Sequence, residues 1–150
     1  MTNIGDLLGE QADIVARNAI EVGDVHILAL TSKEGITPKN EQSYRNKYFV
    51  VLGFDTHGNV IGGVVVNSKV NSRLASIVRD YHLPVTTDEC PFLEYNSFVN
   101  CSHLIPVSKD KFNNSTFVGK MKEDTMILIV GAVKECPLIN KQQLKEFGII

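Results

Sequence analysis

Residues 46–67, NKYFVVLGFDTHGNVIGGVVVN, constrain the fold more than any other stretch of this chain. The runs 48–54 and 60–66 are rich in β-branched and aromatic residues. The polar segment between them, Asp55-Thr56-His57-Gly58-Asn59, carries a glycine able to adopt positive φ, so the two runs read as antiparallel strands of a hairpin. On the first strand Tyr48, Val50 and Leu52 face one way, and Phe49, Val51 and Gly53 the other. Both sets are largely apolar. A strand that buries both faces belongs at the centre of a closed or sandwiched sheet, which moves function to the rim, where the chain enters and leaves the hairpin.

At 150 residues the chain suits one domain, large enough to bury a core without a disulfide or a metal. Its formal net charge of −2 means that nucleic-acid binding would have to come from a local basic patch and not from the overall field. No apolar stretch approaches the roughly 20 residues of a membrane span, and MTNIGDLLGEQ lacks a basic leader followed by an apolar run. A soluble, cytoplasmic protein is the expectation. Cys90, Cys101 and Cys136 are odd in number and widely spaced, which argues for buried thiols and against a disulfide framework or a paired-cysteine zinc site. In Cys101-Ser102-His103, neighbours on a strand point to opposite faces, so a cysteine–histidine pair is not expected there.

Taken in order, the chain opens on helical spacing, with Ile4, Leu7, Leu8, Ala12, Ile14, Val15 and Ala19 on one face and Thr2 or Asn3 as cap. A first strand follows at 25–30. Residues 31–45, TSKEGITPKNEQSYR, form a polar connection longer than a usual hairpin loop, and such loops are commonly functional or disordered. Beyond the hairpin, 83–87 is extended, 88–91 is a turn, and 97–107 reads as one strand, with Phe112 a core anchor after it. Residues 117–121 lead to the apolar run MILIVGAV, whose periodicity fits strand or buried helix and whose β-branched content favours strand. Residues 141–147 are a short helix capped by Asn140 and closed by Gly148.

No glycine-rich phosphate loop is present, since Gly62-Gly63 lies within a strand. His26, His57, His82 and His103 have no metal-ligand spacing to each other or to a carboxylate cluster, so neither metal nor organic cofactor is expected. The chemistry-bearing group is Arg45, Lys47, Asn67, Ser68, Lys69 and Arg73. A two-strand hairpin puts the start of its first strand beside the end of its second, so these residues are expected along one rim. A guanidinium there can grip two phosphate oxygens and hold charge that builds in a transition state. The bland alternative is a solvated basic edge.

The order of these pieces resembles the MazF/PemK family of toxin endoribonucleases. Gly23-Asp24 opens the first strand, the long loop ends in a basic segment before the valine-rich strand at 48–52, and the hairpin's second strand has a polar exit. SFVNCSHLIPVSKDKF is similar to the family's late strand, and Val118-Gly119-Lys120-Met121 before Glu123-Asp124 to the glycine ahead of its last helix, which reassigns 124–134 to helix. The resemblance spans 22–135. It implies mainly β structure with peripheral helices: a small SH3-like β-barrel of the PemK/CcdB type over 22–135, with an added N-terminal helix at 1–21 and a tail or helix at 136–150. It further implies a homodimer that cuts single-stranded RNA without a metal and is neutralised by an antitoxin protein. The family's active arginine matches Arg45, and its second active residue, a threonine, falls at Ser68; Lys47, Asn67, Lys69 and Arg73 become substrate-binding residues. Two departures are visible. Serine replaces threonine, and Arg45 is followed by Asn46-Lys47 where the family has proline. The alternative is a catalytically inactive barrel of the same type that binds nucleic acid or protein through its rim.

Overall fold

The computed structural model describes residues 20–37 and 42–150. The expected N-terminal helix therefore lies almost wholly outside the described residues. Among the described residues seven strands are present: β1 Asp24–Leu30, β2 Arg45–Phe54, β3 Val60–Asn67, β4 His82–Val85, β5 Ser97–Asn100, β6 Ile105–Ser108 and β7 Thr116–Lys120. Three helices accompany them: α1 Ser76–Asp80, α2 Glu123–Glu135 and α3 Lys141–Glu146. All pairings are antiparallel, in the order β4-β5-β3-β2-β1-β7, with β6 also on β3.

The β2–β3 hairpin forms as its sequence predicts. Gly58 sits at φ 70°, and the Asp55 carboxylate accepts from the backbone N–H of Asn59 (2.8 Å) and Val60 (3.2 Å), which closes the turn. Both faces are buried. Val50, Leu52, Val64 and Val66 pack on one side with Ile129 and Val133 of α2, while Phe49, Val51, Ile61 and Val65 pack on the other with Leu28, Leu30, Val107 and Phe112. The run at 126–133 is helical despite its β-branched residues, because Thr125, Ile129 and Val133 recur at four-residue spacing and bury against the first of these faces. Glu123 and Asp124 in the first turn, and Lys134 in the last, match the helix dipole.

One strand expectation needs correction. Residues 97–107 are two strands, not one, separated by a corner where the Asn100 side chain accepts from the Ser102 N–H (3.1 Å) and hydroxyl. A side chain that captures its own downstream backbone diverts the strand. Both halves still pair with the same edge of β3: β5 at Val66 and Asn67, β6 from Val60 to Gly63. The corner thus bends the sheet into a barrel-like form. The sheet is not closed, since β4 and β7 stay at opposite ends of the pairing order.

The long connection after β1 is partly built. Thr31 and Glu34 form a reciprocal capping box around the 3₁₀ turn Ser32–Glu34, which Gly35 ends at φ 79°. The buried Glu34 carboxylate is paired with the Lys111 ammonium, tying this loop to the turn after β6. Burial pushes the Glu34 carboxyl up, but Lys111 and the Thr31 backbone outweigh it and leave it lowered.

The C-terminal segment is part of the core. Phe147 lies over the hairpin where Gly53 and Gly62 have no Cβ: an added Cβ at Gly53 would fall 2.0 Å from the Phe147 carbonyl oxygen, and one at Gly62 2.6 Å from its ring. Asn140 caps α3, accepting from Gln143 N–H at 2.8 Å, and Gly148 follows at φ 69°. Gly53→Ala is expected to destabilise the fold by about 1–3 kcal/mol, read by urea denaturation, because the segment carrying Phe147 must move away from the sheet. Since the folded Glu34 carboxyl is lowered, its contribution is complete above its unfolded pKa and is lost as pH falls through the folded one. Lys111→Met should flatten that acid limb of the stability profile.

Candidate functional site

The start of β2 and the end of β3 lie side by side, as hairpin geometry requires. Tyr48 pairs with Val66, and the strands run outward from there to Arg45 on one and toward Ser68 on the other. Against this end packs the segment before β5. Together they enclose a cleft of about 220 Å³, lined by Arg45, Asn46, Lys47, Tyr48, Val66 and Ser68 from the hairpin. Its opposite wall is Leu93, Glu94, Tyr95 and Ser97.

Alternation separates the polar residues of the hairpin end. Ser68 shares the face of Val66, while Asn67 lies on the face of Val65, as does Lys47 with Phe49. The mostly buried Lys47 ammonium donates to Asn67 Oδ1. Asn67 Nδ2 lies 3.4 Å from His82 Nε2, and His82 Nδ1 lies 2.8 Å from the Val78 carbonyl oxygen. A carbonyl only accepts, so His82 carries its proton on Nδ1 and presents Nε2 as acceptor. That choice orients the Asn67 amide, whose oxygen then faces Lys47. A relay from α1 through β4 and β3 therefore holds the lysine beside Arg45.

Lys69 and Arg73 depart from the one-rim expectation. Both are exposed in the turn that leads to α1, and neither lines the cleft. The Asn71 side chain accepts from Arg73 N–H at 2.9 Å and closes a turn between the hairpin end and α1. Of the six residues expected from sequence, Arg45, Lys47 and Ser68 line the cleft and Asn67 supports Lys47.

Three residues escaped the sequence reading: His82, Glu94 and Tyr95. Phe92 anchors the segment of Glu94 and Tyr95, with its ring 6.4 Å from that of Tyr48 and against Gly119, while Leu93 is buried. Asn96 Oδ1 accepts from Thr87 N–H (2.9 Å) and Ser97 Oγ donates to the Tyr95 carbonyl (2.8 Å). These contacts leave Glu94 and Tyr95 on the surface, Tyr95 66% exposed. An acid and an aromatic in a polar turn were the available signal.

The cysteines are buried and form no disulfide. Burial, and then the nearby Cys136, push the Cys101 thiol up to about 12, so it is protonated at neutral pH and is a poor nucleophile. Among the described residues no three His, Cys, Asp or Glu side chains converge as a metal site, and no helix is long and apolar enough to cross a membrane. Removing the centre of the relay, Asn67→Ala, should cost about 1–3 kcal/mol in urea denaturation, because the hydrogen bonds from Lys47 and to His82 are lost at one half-buried position. Lys69→Ala and Arg73→Ala should stay within about 0.5 kcal/mol of the parent.

No family model and no curated protein matches this chain. Among solved structures, it is similar to a chain of the MazE–MazF complex (Form-III) from Deinococcus radiodurans, with a TM-score of 0.54 and 10% identity over 81% of this chain and 98% of that one. At that identity the likeness is one of fold. The protein has a MazF-like fold: a mainly antiparallel, barrel-like sheet of seven strands with few helices.

Proposed function

We propose that this protein is a toxin-like endoribonuclease that cleaves single-stranded RNA, without a metal, in the cleft between Arg45 and Ser68. The observation that carries this reading is that both residues line one cleft at the hairpin end of a MazF-like fold. In the reaction, the substrate's 2′-oxygen attacks the adjacent phosphorus and the bond to the 5′-oxygen breaks. The products are a 2′,3′-cyclic phosphate and a 5′-hydroxyl. The 2′-hydroxyl proton passes to water and the departing 5′-oxygen takes one from water. The Arg45 guanidinium offsets charge that accumulates on the non-bridging oxygens, and Ser68 donates a hydrogen bond to one of them. Lys47, held by Asn67, adds a positive charge at fixed position. Lys69 and Arg73 contribute outside the cleft, as exposed cations that attract the flanking backbone. A homodimer, a neutralising antitoxin and action in the cytoplasm complete the proposal, supported by the sequence resemblance and by the solved MazE–MazF complex.

One feature favours a second reading, a barrel that binds RNA or protein without cutting: the serine at position 68, where the resembled family has threonine. Incubation with mixed single-stranded RNA in chelator separates the two. Cleavage should leave cyclic phosphate ends, spare DNA, and fall by about 100-fold or more in Arg45→Ala. RNA that stays intact at high protein concentration refutes the enzyme. Induced expression should arrest growth for the parent and not for Arg45→Ala; unaffected growth removes the toxin assignment.

A further inference from the structure

We infer that the wall of the cleft opposite Arg45, formed by Glu94 and Tyr95, is a nucleobase subsite that selects guanine; this rests on the reading above and names the base its substrate presents. The cleft is lined by charges of both signs, and among the described residues neither Arg45 nor Glu94 has an ion-pair partner. A carboxylate beside a phosphate site is unfavourable for the phosphate alone. It becomes an asset when the ligand carries N–H donors next to its phosphate, as a nucleotide does.

Tyr95 supplies the third part of that complementarity. Its ring is 66% exposed on a segment pinned by Phe92, Leu93 and Asn96, so a base can stack on it with little ordering cost. At about 220 Å³ the cleft is smaller than the roughly 300–1,000 Å³ of drug-sized ligand pockets, room for part of one nucleotide and not for a longer stretch of chain. Two carboxylate oxygens match two adjacent donors. Guanine alone of the four bases offers these, N1–H and N2–H, on its Watson–Crick edge. Adenine and cytosine offer an amino group beside an acceptor nitrogen, and uracil one N–H between two carbonyls. Both unmatched cases set an oxygen or nitrogen lone pair against the carboxylate.

The test uses oligodeoxythymidylates with one internal dG, dA or dC, which lack the 2′-hydroxyl and cannot be cut, with binding read by fluorescence anisotropy. The parent should bind the dG-containing strand about 10-fold more tightly than all-thymidine. Glu94→Gln, which offers one donor and one acceptor and removes a negative charge beside the phosphate site, should abolish that preference while binding all-thymidine at least as tightly as the parent. Tyr95→Ala should weaken every strand about 5-fold or more. Both positions are exposed, and unchanged melting curves confirm folded variants. A parent without guanine preference, or a preference that survives Glu94→Gln, overturns the subsite. If RNA is still cleaved in an Arg45-dependent way, the endoribonuclease reading stands without it. If no strand binds and no RNA is cut, both fall.

Discussion

Burial of both faces of one hairpin governs the rest of this structure. β2 and β3 carry valine, isoleucine, leucine or phenylalanine on each side, and each side needs its own cover. α2, α3 and Phe147 cover one; β1, β6 and Phe112 cover the other. Two glycines in the hairpin, Gly53 and Gly62, are where Phe147 comes closest, while Gly63 makes room for the Phe49 ring and the Val50 carbonyl of the neighbouring strand. Two layers cannot pack around a two-sided strand pair unless the sheet bends. The corner after Asn100 provides that bend while keeping both resulting strands on β3.

The same constraint sets the site. With its interior buried on both sides, the hairpin carries polar residues at its turn and where it begins and ends, and at the latter end its two strands bring an arginine, a lysine, an asparagine and a serine together. Alternation then gives them different work. Ser68 faces the cleft, whereas Asn67 turns inward to Lys47 and His82. A buried ammonium requires an acceptor, and the amide oxygen fixed by His82 supplies it. The positive charge beside Arg45 is thereby held by the body of the sheet, and the Glu94 and Tyr95 wall is held by the ring of Phe92.

Much of this was legible in the residues. Alternating apolar sets at 48–54 and 60–66 identified the hairpin, Asn140 and Gly148 bounded the last helix, and the start of β2 was placed beside the end of β3 before any coordinates. Where reading failed, a nonlocal or side-chain effect intervened. Residues 97–107 look like one strand because nothing in their hydrophobic pattern marks the Asn100 turn. Lys69 and Arg73 follow Ser68 in sequence but do not line the cleft, and a turn at Asn71 intervenes before Arg73.

Local pattern determined which segments are strands, which faces are apolar and which charges sit at the end of the hairpin, since periodicity, turn chemistry and strand alternation act between near neighbours in the chain. Tertiary structure decided which distant segment forms the other wall of the cleft. Glu94 and Tyr95 share a cleft with Arg45, and His82 meets Asn67, only through the order β4-β5-β3-β2. That order depends on how two hydrophobic layers share one hairpin, a contest of burial among remote segments that no single stretch of residues encodes.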